Sequence, residues 1–177
     1  MGYIVKKILL LIGAVVWTGN AIPAEPLTFR THSLGTACYR ASKMKVTYGR
    51  YITNNCPSLA RDKKPDDDRD MPSAALGFRA FVGQLSVEWL ALDGSALAEA
   101  LDLEKIFKGN RVLHNEDPSQ IDPTLPLITP PLLVVETNDR TLTIYMDVDI
   151  GLFSDEPGRL RRSSRNRQIA FQRNFEK

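Results

Sequence analysis

The sequence predicts an α+β protein that is predominantly β, with an antiparallel sheet of four or more strands, one short helix and long surface loops. Residues 85–91 and 142–150 alternate apolar with polar side chains, which indicates half-buried strands. Dipeptides typical of tight turns adjoin these strands, at Asp93-Gly94 and Asn138-Asp139. Neither tandem repeats nor a second hydrophobic core is visible in the sequence.

The N-terminus has the pattern of a secretory signal peptide. Lys6 and Lys7 precede an uncharged apolar run over residues 8–17, and small and polar residues follow up to Ala24. The run is about half as long as the ~20 residues of a membrane-spanning helix. We therefore expect cleavage near Ala24 and a periplasmic protein without a stable membrane anchor, with a retained anchor as the alternative.

This pattern divides the chain into three predicted segments. They are a signal peptide over residues 1–24, a single globular β-rich domain over residues 25–158 and a basic C-terminal tail over residues 159–177.

Two cysteines, Cys38 and Cys56, follow the signal segment. Oxidising compartments convert compatible thiol pairs to disulfides, so export favours a bond between them, with two buried thiols as the alternative. The segment that the bond would enclose alternates Met44, Val46 and Tyr48 with polar residues. This alternation predicts a strand of the edge type.

The middle of the chain is predicted to be a loop, a hairpin and a short helix. Residues 57–72 are rich in charge and proline and form the loop. The hairpin has its first strand over residues 85–91. Residues 95–107 suit either a helix or a strand, and we choose a strand to about Leu101. Asp102 then caps a helix over residues 104–107, which Gly109 ends.

Residues 115–131 are predicted to be an irregular surface connection because they contain five prolines, at positions 118, 123, 126, 130 and 131. A second hairpin follows, with strands over residues 132–137 and 141–150. We expect both hairpins to lie in one sheet, with the short helix over an edge or end of it.

Charge is distributed unevenly along the chain. Lys and Arg number 23 against 21 Asp and Glu, and without Lys6 and Lys7 the two counts are equal, which gives no argument for nucleic acid or anionic lipid. Residues 159–177 hold seven basic residues against one acid, Glu176. We expect a solvated, partly disordered tail; the alternatives are docking on an acidic partner, on anionic lipid or on the protein's own acidic face.

The sequence has no convincing metal motif. Asp66, Asp68 and Asp70 have the spacing with which a calcium-binding loop begins, but Met71 replaces the glycine and Gly77 the glutamate that such a loop needs. The two histidines and two cysteines lack the paired spacing of zinc ligands. We therefore expect no metal and no cofactor.

Catalytic patterns are equally weak. Asp147 and Asp149 share one face of a strand but do not by themselves define a glycosidase. His114 is expected to make a structural hydrogen bond at a helix end, and Trp89 to lie in the core or on a semi-buried sheet surface. The expectation is therefore that the protein is not an enzyme.

A family resemblance rests on three stretches of residues 85–148: VEWLALDG, then DLEKIF with RVLHN, then VVETNDRTLTIYM. They resemble a group of small exported bacterial proteins encoded near type VI secretion effectors, some regarded as immunity proteins. The resemblance implies a periplasmic protein that binds a toxin and blocks it. It carries over no functional residue.

Two classes of function remain, a protein-binding inhibitor of an antibacterial effector and an exported hydrolase with an unrecognised site. Binding by charged loops on a sheet is the first expectation, because acidic loops can pair with basic clefts. The candidate contact residues are Asp66, Asp67, Asp68, Asp70, Met71 and Tyr145.

Overall fold

The computed structural model describes residues 25–56, 61–68, 74–79, 81–153 and 161–176. The predicted signal peptide lies outside these residues, as do Asp70 and Met71. The described strands are β1 Thr31–Tyr39, β2 Ala41–Tyr48, β3 Tyr51–Asn55, β4 Ala74–Arg79, β5 Leu85–Ala91, β6 Ala96–Leu101, β7 Leu132–Asn138, β8 Thr141–Phe153 and β9 Arg161–Asn174, and the described α-helix is α1 Leu103–Ile106. Short 3-10 turns lie at Pro65–Asp68, Lys108–Asn110 and Pro118–Gln120.

The described fold confirms a predominantly β protein with one short helix, but its strands form two sheets. A five-stranded sheet has the order β4-β1-β7-β8-β9, and a four-stranded sheet has the order β3-β2-β5-β6. The prediction that both hairpins share one sheet is therefore wrong, since β5–β6 and β7–β8 lie in different sheets. Alternation shows that each hairpin buries one face, but it does not show which partner covers that face.

The two sheets share one hydrophobic core. Leu133 and Ile144 of the five-stranded sheet and Val46 and Val87 of the four-stranded sheet are fully buried in the same cluster. Along β5 and β8, alternate residues belong to this cluster, as the period of two requires. The opposite face of the five-stranded sheet carries Tyr145 and Asp147 of β8 beside the buried Leu132 and Val134 of β7.

The segment between the two cysteines was predicted to be one strand and forms a hairpin of two strands. β2 ends at Tyr48, Gly49 adopts a φ of 59°, and β3 begins at Tyr51. β2 lies between β3 and β5, so the prediction of an edge strand is wrong. Lys43 and Lys45 face solvent because one face of the sheet is uncovered, which gives an inner strand the same alternation as an edge strand.

The predicted disulfide between Cys38 and Cys56 is present, with the two Cα atoms 5.5 Å apart. Cys38 belongs to β1 of one sheet and Cys56 follows β3 of the other, so the bond joins the two sheets. The Asn55 side chain reinforces this junction, because its Nδ2 donates to the carbonyl and hydroxyl oxygens of Thr36, each at 2.9 Å.

The predicted β5–β6 hairpin and its capped helix are confirmed. Gly94 in the hairpin loop has a φ of 83°. The carboxylate of Asp102 accepts from the backbone amides of Glu104 and Lys105 at 3.1 and 3.3 Å, which stabilises the start of α1. Trp89 of β5 is 2% exposed, so its predicted burial is also confirmed.

The proline-rich connection over residues 115–131 pairs with β8 in addition to crossing the surface. Ile121 is buried and forms an isolated bridge with Leu152, and Leu127 bridges Ile150. β7 pairs with β8 only as far as Asp147, so the connection takes the place of β7 beside the second half of β8. Prolines lack an amide donor, which explains why single bridges replace a continuous ladder here.

Most of the basic tail is strand β9. It pairs with β8 from Arg161 opposite Phe153 to Asn174 opposite Thr141. The expectation of a solvated, partly disordered terminus is therefore wrong for residues 161–174. The strand escapes prediction because the alternating positions hold arginines such as Arg165 and Arg167 in place of apolar residues.

Candidate interaction surface

The acidic loop, Tyr145 and the basic tail meet on the outer face of the five-stranded sheet. Tyr145 and Asp147 point outward because Ile144, Met146 and Val148 occupy the alternate, inward positions of β8. The loop over residues 61–68 lies against this face through the contacts given below. We call the loop together with the residues on this side of the sheet the charged face; these residues are Tyr39, Glu136, Tyr145, Asp147, Arg165 and Arg167.

Lys63 is the anchor of the loop. Its Nζ lies 3.0 and 2.9 Å from the two carboxylate oxygens of Glu136, 2.8 Å from Asp68 and 5.2 Å from the centre of the Tyr145 ring. The Glu136 side chain is 4% exposed, so this pair is shielded from water. Burial opposes the charge on Lys63, but hydrogen bonds to Asp68 and Glu136 outweigh it and raise the lysine pKa above its ordinary value.

Arg167 of β9 holds the loop from the other side. Its guanidinium lies 4.3 Å from the centre of the Tyr145 ring and donates to the backbone carbonyl of Asp68 at 3.0 Å. It also forms ion pairs at 3.6 Å with the carboxylates of Asp68 and Asp147. The basic segment therefore docks on the protein's own acidic face, one of the alternatives that its composition allowed.

Asp67 fixes the conformation of the loop itself. Arg61 donates two hydrogen bonds to its carboxylate, each at 2.7 Å, and the Lys64 amide donates a third at 2.6 Å. The Arg61 guanidinium, followed by the Lys64 amide, lowers the pKa of Asp67 to about 2. Arg61 in turn lies 4.9 Å above the Tyr39 ring. Asp67 thus stabilises the conformation of the loop through hydrogen bonds within it.

Asp147 is the most deeply buried charge of this surface, with a side chain that is 0% exposed. Arg165 and Arg167 approach one of its oxygens at 3.4 and 3.6 Å, while Oδ1 has no hydrogen-bond partner in the part of the chain that the structure describes. Burial raises the pKa of Asp147, although both arginines act in the opposite direction. The arginines are therefore required to hold this carboxylate as an anion.

The predicted contact residues have different positions. Asp66 is exposed, Asp67 and Asp68 bond within the charged face, and Tyr145 is half-buried beneath two cations. The sequence indicates the loop and Tyr145 as candidate contact residues. It does not indicate Lys63 and Glu136, which lie 73 residues apart in the chain. The available signal was the alternation along β8, which places Tyr145 outward; β7 is apolar on both faces over residues 132–135 and gives no such signal for Glu136.

Comparisons with known protein families, with curated proteins and with solved structures gave no match. The resemblance of residues 85–148 to immunity-like proteins therefore remains an expectation of the sequence.

Opposite charges on the loop and on the sheet neutralise one another within the charged face. The charged face can therefore hold the loop in position. Within the described ranges, no group of His, Cys, Asp and Glu side chains is placed to hold a metal ion. None of the helices described is long and apolar enough to span a bilayer.

For His114, which was predicted to make a structural hydrogen bond at a helix end, the structure shows a buried Nδ1 without a hydrogen-bond partner among the described residues. Nearby, Glu116 accepts from the hydroxyl of Ser164 at 2.6 Å and from Nδ2 of Asn166 at 2.9 Å. These two bonds lower the pKa of Glu116. They join the end of the helical region to β9 and so support the position of that strand.

Proposed function

We propose that the protein is an exported periplasmic binding protein of the immunity type, which neutralises a type VI secretion antibacterial effector by protein–protein binding. The observation that carries the proposal is the fixed conformation of the 61–68 loop on the charged face. The resemblance of residues 85–148 supplies the kind of partner.

The loop is ordered before any partner arrives. The side chains of Lys63, Asp67 and Asp68 bond to the sheet or to the loop itself. Its other acidic side chains are Asp66, which is exposed, and Asp62, which lies 3.6 Å from Arg40 with a side chain that is 82% exposed. A preordered loop loses less conformational entropy on binding, so more of the contact energy contributes to affinity. The exposed carboxylates suit a basic cleft on the effector.

The disulfide supports export. A bond between Cys38 and Cys56 persists in oxidising compartments and is rare in reducing ones. The charge and apolar pattern of residues 1–24 supports cleavage near Ala24 and a periplasmic location. In this proposal the protein acts by covering a surface and needs neither a cofactor nor a catalytic residue.

The test compares two double variants with the wild type. Asp62→Ser with Asp66→Ser removes two exposed carboxylates from the loop but leaves Lys63, Asp67 and Asp68 in place. Glu88→Ser with Glu104→Ser removes two exposed carboxylates elsewhere and gives the same change in net charge. Association with a type VI effector whose gene adjoins this one, the partner that the resemblance implies, is followed by stopped-flow fluorescence at low and at high salt.

The loop variant should associate several-fold more slowly at low salt, because charge complementarity chiefly accelerates encounter. The difference should shrink near 1 M salt, where the Debye length is about 3 Å. The control should follow the wild type more closely at both salts. Equal rates for all three proteins contradict an interface on the loop, and an effector that kills cells despite periplasmic wild-type protein contradicts the inhibitory function.

A further inference from the structure

His32 of β1 is enclosed by aromatic rings and is 0% exposed. The centre of its ring lies 6.1 Å from that of Phe29, 5.7 Å from Tyr48, 5.6 Å from Phe78 and 5.5 Å from Phe81. We call these four rings the aromatic enclosure. It joins Phe78 of the five-stranded sheet and Tyr48 of the four-stranded sheet to Phe29, which precedes β1, and Phe81, which follows β4. It therefore lies at one end of the sandwich that the two sheets form.

The imidazole has no polar support inside the enclosure. Neither ring nitrogen has a hydrogen-bond partner in the described parts of the chain. Tyr48 is the titratable member of the enclosure, and its hydroxyl already accepts from the Val82 amide at 3.3 Å. The charged residues on the packed elements and directly beside them are exposed; they are Arg30, Lys43, Lys45, Arg50, Arg79 and Lys108. A neutral ring fits this apolar site, whereas a charged one would be buried without compensation.

We propose that His32 is an acid-sensitive switch: when its imidazole takes up a proton, the aromatic enclosure opens and exposes this end of the sandwich. Phe81 is the part that moves, because it lies between β4 and β5, outside both sheets, and leaves without breaking a strand ladder. Val82 beside it is already 42% exposed. Opening brings water to the imidazolium and removes the cost of burying it.

The pH range of the switch follows from the pKa of His32 in the closed and the open forms. Burial lowers the pKa of His32 from 6.5 to about 4 in the closed form, whereas the open form keeps the ordinary value. As pH falls below 6.5 the open form binds the proton and the closed form does not, so the equilibrium shifts towards opening about tenfold per pH unit until about pH 4. Between pH 7 and pH 4.5 the shift is about 60-fold.

Hydrogen exchange of the mature protein tests the switch. The exchange rate of the Val82 amide, divided by its intrinsic rate at each pH, should rise about 60-fold from pH 7 to pH 4.5. The amide of Ile144 in the core should not show this rise, since the opening is local. The variant His32→Leu cannot take up the proton and should lose the effect, while His114→Gln, which changes the other histidine of the chain, should retain it.

A second measurement does not depend on the folding of a variant. The chain has two histidines, so NMR of wild-type protein resolves both rings, and His114→Gln assigns them. The His32 ring of the closed form should remain neutral down to about pH 5. A closed form in which His32 titrates near pH 6.5 overturns the proposal, as does an equal acid-induced rise in exchange at Val82 and Ile144.

Discussion

Asp66, Asp67 and Asp68 are consecutive in the chain but have three different environments. Asp66 is exposed, Asp67 binds Arg61 within the loop, and Asp68 binds cations of the charged face. The 3-10 turn over Pro65–Asp68 separates them, because three residues per turn point successive side chains in different directions. Replacing all three would therefore change the conformation of the loop as well as its charge.

The adjacent lysines Lys63 and Lys64 provide a matched test of the anchor. Lys63→Met should lower the free energy of unfolding by about 2 kcal/mol, because it leaves the buried Glu136 carboxylate without its closest cation. Lys64→Met removes the same charge from an exposed side chain and should change it by less than about 0.5 kcal/mol. Urea denaturation measures both. Equal losses of unfolding free energy in the two variants would contradict a specific stabilising role for Lys63.

At the scale of the element, the disulfide connects two elements that share no sheet. Replacing both Cys38 and Cys56 by serine should lower the free energy of unfolding by about 3 kcal/mol, since the bond restricts the unfolded chain and closes a loop between β1 and β3. Guanidinium denaturation compares the variant with the oxidised wild type. Reduced wild-type protein is the control and should resemble the variant; no difference between oxidised and reduced protein contradicts the prediction.

Elements with local signals could be predicted from the sequence. The β5–β6 and β7–β8 hairpins have alternation and turn residues within about 20 residues of chain, and Asp102 marks the start of α1. β1 could not be predicted, because its burial pattern is irregular and a bulge interrupts its pairing with β4 between His32 and Leu34. Its main partner β7 is also remote in the sequence.

The candidate site likewise has features that the sequence predicts and features that it does not. The acidic loop and the outward position of Tyr145 follow from composition and alternation. Their contact does not, because Lys63 meets Tyr145 only after the sheet has placed β8 beneath the loop. Arg167 completes the contact from a strand whose arginines resemble those of a solvated tail.

For the whole molecule, β9 is a structural part of the five-stranded sheet. A chain that ends at residue 158 would expose the edge of β8 and leave Asp147 buried without Arg165 and Arg167. We expect this chain to lose the cooperative thermal unfolding of a chain over residues 25–177. Circular dichroism and calorimetry measure it, with a chain that lacks only Lys177 as the control. A cooperative transition in the shortened chain would show that residues 25–158 fold independently.

The parallel pairing of β1 with β7 has a consequence for the order of folding. Residues 33–39 pair with residues 132–138, so the five-stranded sheet cannot be completed until most of the chain is present. Such distant pairing delays folding because a long loop must close before its contacts form, and we expect refolding in about milliseconds to seconds, measurable by stopped-flow fluorescence of Trp89. Until residues 132–138 are present, β1 therefore lacks its parallel partner, and the five-stranded sheet cannot assemble around it.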